Sequence, residues 1–428
     1  MEEIIIEQKK FISGSLKLPS DKSISHRAIM LGAISQGRTD IKNCLECDDC
    51  NYTIRTFKEM GIKIVRKNGY TYVYGNGLFG LRKPSKKIFL GNSGTSMRLL
   101  LGILAGQNFK SILSADRGLS KRPMARVIKP LTLMGARIKG RNHSNFAPLE
   151  IEGSKLKPIT YKLPIPSAQV KSAILLAGLY AKGKTTVKEN FKSRDHTERM
   201  LICFGAKVEK KTFLCSVRGI ADLKASIIEI PGDISSASFF IVASTLLKGS
   251  ELVIEDVGIN PTRVGFIEVL KRMGANITIS KARITNQEPI AKIIVRYSPL
   301  KGTTLKRHEI PLCIDELPVL MVAASLSEGR TTIKGASELR VKETDRINSM
   351  VYNLKKLGAK IFSEGDDIYI EGVSQLRGST VLSFNDHRTA MSMAVAGLLA
   401  KGKTRILGIE CVTKSFPDFF ITLKKLIR

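Results

Sequence analysis

At 428 residues the chain is too long for one ordinary hydrophobic core, so two domains or a repeated architecture are expected. Apolar residues make up 43% and charged residues 25%, the balance of a folded globular protein and not of a disordered one. Lys and Arg number 69 against 38 Asp and Glu, and the resulting +31 suits nucleic acid, an acidic membrane surface, small anions, or simply a soluble basic exterior.

The opening "MEEIIIEQKKF" carries acidic residues and no long apolar run, which argues against a signal peptide. Runs such as "SASFFIVASTLL" and "AMSMAVAGLLA" fall short of the roughly 20 residues that span a bilayer, so no membrane partner is expected. Seven cysteines, an odd number, point to reduced thiols and a cytoplasmic location.

Taken in chain order, six segments repeat one design: "HRAIMLGAISQGRT", "SMRLLLGILAGQNF", "VKSAILLAGLYAKGKTT", "SASFFIVASTLLKGSE", "ELPVLMVAASLSEGRTT" and "HRTAMSMAVAGLLAKGKT". Each is an apolar helix ending in a Gly-containing turn, followed in most copies by a short strand such as "TTVKE", "ELVIE" or "TTIKG". An amphipathic helix then closes most copies at "FKEMGIKI", "LTLMGARI", "ICFGAKV", "LKRMGANI" or "LKKLGAKI". A helix apolar on every face is buried on every side, so six of them imply two cores of three.

The residues before these helices are polar: "SDKSISHR", "GNSGTSMR", "PSAQVK", "GDISSA", "CIDELP" and "NDHR". Ser and Asp there read first as caps for unpaired amides. Lys22, Arg27, Arg98, Lys171, His387 and Arg388 oppose the positive helix end, an arrangement that makes sense where an anion is shared between cation and amides.

Two features mislead. "GLYAKGKT" (178–185) and "GLLAKGKT" (397–404) match the phosphate-loop pattern, but they follow a helix and lead into a strand, which presents the negative helix end. "CLECDDC" spaces Cys44, Cys47 and Cys50 like an iron–sulfur or zinc site but lacks a fourth ligand, so no metal is expected. A denser polar stretch, "ELRVKETDRI" (338–347), sets Lys342 and Arg346 four apart on one face of a helix or its entry turn, with Glu343 beside them, and "FKSRDHTER" occupies the matching place in an earlier unit.

In order, "LPSDKSISHR", "GNSGTSMR", "KRPM", "PSAQVKSA", "IDELP", "RVKETDR", "NDHR" and "KSFPDF" resemble the 5-enolpyruvylshikimate-3-phosphate synthases over nearly the whole chain. The resemblance implies an α/β fold, a two-domain inside-out barrel with three β/α units per domain around buried parallel helices. It places 1–19 with 232–428 in one domain and 20–231 in the other, with the active site in a cleft between them. It implies transfer of the enolpyruvyl group of phosphoenolpyruvate to the 5-hydroxyl of shikimate 3-phosphate, by a monomer without cofactor or metal.

Matched motif by motif, shikimate 3-phosphate would be held by Lys22, Ser23, Arg27, Ser167, Ala168, Gln169, Ser193, Asp315 and Lys342. Phosphoenolpyruvate would meet Lys22, Gly94, Arg122, Gln169, Arg346, Arg388 and Lys414. Lys22, Glu343 and Asp315 are the candidates for proton transfer, the last at the attacking hydroxyl. Two unit charges ~5 Å apart repel by about 3 kcal/mol at an effective dielectric near 20, so two polyanions need several cations to meet.

Leu99 stands where many relatives have proline and Ala168 where many have a second serine. These departures bear on affinity for glyphosate, the family's inhibitor, and remove no charged ligand. The sister enolpyruvyl transferases acting on UDP-N-acetylglucosamine carry a cysteine on a mobile loop, which "SADRGLSKRPMARV" lacks. Nucleic-acid binding would interleave aromatics with the basic residues; here aromatics are 6% and tryptophan is absent.

Overall fold

The six apolar helices form where the repeats place them, in a computed structural model that describes residues 2–220 and 222–427. They are α1 (Lys22–Ile34), α2 (Gly94–Leu104), α3 (Ala168–Gly178), α4 (Ile234–Leu246), α5 (Leu317–Ser325) and α6 (His387–Leu399). Nearly every residue of each is buried, as the lack of a polar face requires.

The chain divides into two compact units. One comprises Met1–Pro19, Pro231–Arg283 and Pro289–Arg428; the other comprises Ser20–Ile230 with Ile284–Glu288. No sequence signal marked the short 284–288 segment. Its place follows from polar contacts: Asn286 accepts from the Glu229 amide at 2.8 Å, and Glu288 shares a 2.7 Å contact with buried His196.

In the 20–230 unit, α1, α2 and α3 contribute to one hydrophobic core. The approach of α2 to α3 needs Gly102, because a Cβ there would lie 2.3 Å from the Ala173 carbonyl oxygen. In the 231–428 unit, α4, α5 and α6 contribute to a second core, which includes Ile6, Ile12 and Leu16 from the N-terminus.

Each repeat adds a sheet with the same pairing. Strand Lys184–Lys188, for example, pairs parallel with Thr160–Lys162 on one side and antiparallel with Leu214–Arg218 on the other. The N-terminus completes two sheets of the 231–428 unit. Glu3–Glu7 runs antiparallel to Lys403–Leu407, and Ser13–Lys17 parallel to Glu251–Gly258. Ile227–Glu229 likewise closes the first sheet of the other unit against Gln36–Lys42.

The amphipathic helices stop at the Met-Gly type junction for a local reason. Gly61, Gly135, Gly205, Gly274 and Gly358 all have positive φ, between 82° and 106°. After helix Asp48–Glu59, the Gly61 amide donates to Lys58 and the Ile62 amide to Phe57, the paired bonds of a Schellman cap. Both phosphate-loop look-alikes sit where a helix runs into a strand: α3 into Lys184–Lys188 and α6 into Lys403–Leu407. That is the orientation that excludes them.

Among the described residues no helix is long and apolar enough to cross a membrane. All seven cysteines are free thiols. Cys47 and Cys50 are buried beside Leu45, and no His, Cys, Asp and Glu grouping suited to a metal ion occurs among the described residues.

Candidate active site

Five of the six apolar helices begin with a side-chain cap, supplied by Asp21, Ser93, Ser167, Asp233 and Asp386. The capping expectation therefore holds for those residues. What distinguishes some of these helix starts is the charge gathered beside them.

In the 20–230 unit, Lys22 opens α1 and its Nζ lies 3.0 Å from Asp49 Oδ2, both side chains mostly buried. One turn on, Arg27 is buried and directed by three oxygens. Its Nε donates to Thr197 Oγ1 at 2.7 Å, Nη1 to the Ser23 carbonyl at 2.9 Å, and Nη2 to Ser172 Oγ at 2.9 Å. Gln169, on the first turn of α3, accepts from Arg98 Nη1 at 2.6 Å and donates to Thr95 Oγ1 at 3.0 Å. An added Cβ on Gly94 would meet Arg98 Nη1 at 2.9 Å and Arg122 Nη1 at 3.0 Å, so both guanidinium groups converge on the start of α2. Ser167 and Ala168 sit at the half-buried start of α3. Ser193 is buried and donates its hydroxyl to Glu189.

His26, one residue before Arg27, shares a 2.8 Å hydrogen bond with Thr53. Burial pushes its pKa down to about 3, assisted by Lys22 and Arg27 and opposed by Asp21. It is thus a neutral side chain among cations.

One helix-start cation departs from expectation. Lys171 does not present its charge for an anion: its Nζ lies 2.8 Å from both Glu189 Oε2 and Glu198 Oε1, buried with them. Burial opposes its charge, but Glu198 and Glu189 more than reverse that and hold its pKa above the ordinary lysine value.

In the 231–428 unit the charged turn folds as a 3-10 segment, Ser337–Val341, followed by helix Arg346–Lys356. Lys342 and Glu343 therefore lie in the entry turn of that helix, one of the two placements that their spacing allowed. Arg346, at the first helical position and 1% exposed, is ringed by three carboxylates: Asp386 at 2.8 Å, Glu343 at 2.7 Å and Asp315 at 3.1 Å. Burial opposes its charge; Asp386, Glu343 and Asp315 outweigh it and hold the guanidinium protonated.

Asp315 lies in the turn before α5, and its Oδ1 is 3.5 Å from Arg388 Nε while its carbonyl accepts from Arg388 Nη1 at 3.2 Å. Lys414 holds Asn385 through Nζ, 2.9 Å from the amide oxygen. Burial lowers the half-buried Lys342 ammonium to about 8, with Asp315 opposing and Arg346 adding to the drop. A lysine poised near neutrality beside a carboxylate suits a site that handles protons and anions.

Lys22, Ser23 and Arg27 thus cluster on α1, and Gly94, Arg122 and Gln169 gather around Arg98. Asp315, Glu343, Arg346 and Arg388 form one connected set. The sequence reading missed Asp49, Ser172 and Thr197, which aim Lys22 and Arg27; no motif marks them, because they reach the cations only through the fold. It also missed a buried set at the start of α4, where Arg263 Nη2 lies 3.1 Å from Asp233 and 2.7 Å from Ser235 Oγ.

Units built of three β/α repeats, carrying cations and carboxylates at helix starts, define an α/β protein equipped for small phosphorylated anions. Residues 6–423 match the family model for EPSP synthase (3-phosphoshikimate 1-carboxyvinyltransferase). A 3-phosphoshikimate 1-carboxyvinyltransferase of a Thermoanaerobacter species is 50% identical over 424 residues, 99% of this chain and 100% of the relative. One from Desulforamulus reducens is 49% identical over 426 residues, 99% of each. An EPSP synthase structure from Acinetobacter baumannii superposes with a TM-score of 0.88 at 45% identity, covering 99% of this chain and 98% of that one. The chain belongs to the EPSP synthase family.

Proposed function

We propose that the protein transfers the carboxyvinyl group of phosphoenolpyruvate to the 5-hydroxyl of shikimate 3-phosphate, releasing phosphate. The observation that carries this reading is the set of Arg346, Arg388, Asp315 and Glu343, which joins two buried cations to two partly exposed carboxylates. Family membership supplies the substrates. The reaction forms one carbon–oxygen bond and breaks another without net oxidation, so positioning, charge and proton transfer suffice.

Lys22, Ser23, Arg27, Ser167, Ala168, Gln169, Ser193, Asp315 and Lys342 receive shikimate 3-phosphate. Lys22, Gly94, Arg122, Gln169, Arg346, Arg388 and Lys414 receive phosphoenolpyruvate. Asp315 orients the 5-hydroxyl and takes its proton as oxygen attacks C2 of phosphoenolpyruvate; Glu343 or Lys22 delivers a proton to the methylene carbon. Loss of a methyl proton then expels phosphate and restores the double bond. Arg346 and Arg388 flank Asp315 and fix the position of its carboxylate.

Phosphate release from phosphoenolpyruvate, followed with and without shikimate 3-phosphate, tests the reading. Release is expected only when both are present, and Lys22→Met should abolish it without unfolding the protein. Equal release driven by UDP-N-acetylglucosamine would overturn the assignment.

A further inference from the structure

The buried ion set around Lys171 belongs to none of the substrate contacts above, yet it joins three elements that carry them. Lys171 lies on the first turn of α3, Glu189 just after strand Lys184–Lys188, and Glu198 on helix His196–Cys203. Besides its two carboxylates, Lys171 Nζ donates to the Ser193 carbonyl at 3.3 Å, while Ser193 Oγ donates to Glu189. The residues next to two corners of the set, Ser172 and Thr197, are those that direct Arg27. Their hydroxyls also meet each other at 2.6 Å.

We infer that Lys171 is a positioning residue: clamped between Glu189 and Glu198, it fixes Ser193 and keeps the Arg27 guanidinium turned toward the phosphate of the acceptor substrate. The inference rests on the proposed acceptor, shikimate 3-phosphate. Its physical basis is charge. Lys171, Glu189 and Glu198 sum to one negative charge, close to the positive Arg27 in a region from which water is largely excluded. With Lys171 in place, the two carboxylates are matched to its ammonium. Without it, two unmatched carboxylates in a poorly screened interior would draw Arg27 toward themselves and away from a phosphate. A buried ion group is not needed for stability alone, since apolar packing of similar volume often serves as well or better.

The test is calorimetric titration of shikimate 3-phosphate into wild-type protein, Lys171→Met, and the triple variant Lys171→Met, Glu189→Gln, Glu198→Gln, with KM measured for both substrates. Lys171→Met should weaken acceptor binding at least tenfold while KM for phosphoenolpyruvate stays within about twofold. The triple variant, which removes the carboxylates' pull, should recover much of the loss. Acceptor binding in Lys171→Met within twofold of wild type would overturn the inference, as would an equal rise in both KM values or a triple variant no better than the single. If Lys171→Met does not fold, Lys171→Gln decides, because it removes the ammonium charge while keeping a hydrogen-bonding side chain between the two carboxylates. A severalfold loss of acceptor binding supports the inference and no change overturns it. Failure of wild-type protein to bind shikimate 3-phosphate sinks the functional reading itself, whereas wild-type binding that persists in the variants sinks only the role of Lys171.

Discussion

Arg346 Nε and Asp386 Oδ2 stand 2.8 Å apart with side-chain exposures of 1% and 0%, and the same carboxylate caps α6 through the Arg388 and Thr389 amides. One aspartate therefore ties the charged turn to a central helix. Asp386→Ala should destabilise the protein by about 3–5 kcal/mol, because it strips a partner from a buried guanidinium and removes a cap as well. Asp386→Asn, which keeps an oxygen for the amides, should cost less. Denaturant unfolding with linear extrapolation measures both; a loss under about 1 kcal/mol for alanine would show that the pair does not brace the turn.

Lys342 should set an alkaline limit on acceptor binding. Its ammonium, lowered by burial to about 8, loses its proton in the free enzyme as pH rises through that value, and an anionic substrate then meets a neutral amine. kcat/KM for shikimate 3-phosphate should fall above about pH 8, and Lys342→Arg should move that limb upward even if it lowers the plateau. The stability sign is the opposite. Between about 8 and the unfolded value of 10.5 the unfolded chain binds more protons, so stability contributed by this group rises with pH there. A flat profile to pH 10 would contradict both the shift and the role.

His26 should make the protein acid-sensitive. Held near 3 when folded and 6.5 when unfolded, it leaves the unfolded chain with the extra proton throughout that window. Stability is fully present above 6.5 and falls as pH drops toward 3, with a slope of up to about 1.4 kcal/mol per pH unit. His26→Gln keeps a partner for Thr53 and removes the titration, so its stability should decline less steeply than wild type between pH 6 and 4. Parallel slopes would mean that other groups dominate.

Helices with no polar face, Gly-terminated amphipathic helices and capped starts were all legible in sequence, because burial periodicity and helix-end chemistry are local. The repeat count followed from them. Completion of sheets by the N-terminus was not legible: Glu3–Glu7 pairs with Lys403–Leu407 and Ser13–Lys17 with Glu251–Gly258, far along the chain, and alternation in a short strand does not say whom it pairs with. The motifs located the charged groups but not their partners. "PSAQVK" shows a lysine at a helix start; that Glu189 and Glu198 claim it depends on two other elements arriving beside it. For the same reason the spacing of Lys342 and Arg346 left helix and entry turn both open, and Asp345, which caps the helix between them, leaves Lys342 in the turn.

Gly94 yields the sharpest separation of binding from folding. Its φ is not positive, and it sits at the first helical position of α2, where alanine is at least as well suited to the backbone. Gly94→Ala should therefore fold normally, with stability unchanged or raised by up to about 1 kcal/mol. The new methyl would press on Arg98 Nη1 and Arg122 Nη1, the ends of flexible side chains that yield without moving backbone. Displacing Arg122 disturbs the proposed phosphoenolpyruvate contacts directly, and displacing Arg98 loosens its 2.6 Å hold on Gln169. KM for phosphoenolpyruvate should rise about tenfold, equivalent to about 1.4 kcal/mol of lost binding, while KM for shikimate 3-phosphate changes much less. Steady-state kinetics with each substrate varied in turn reads this split; an unchanged KM for phosphoenolpyruvate would remove the start of α2 from its binding site.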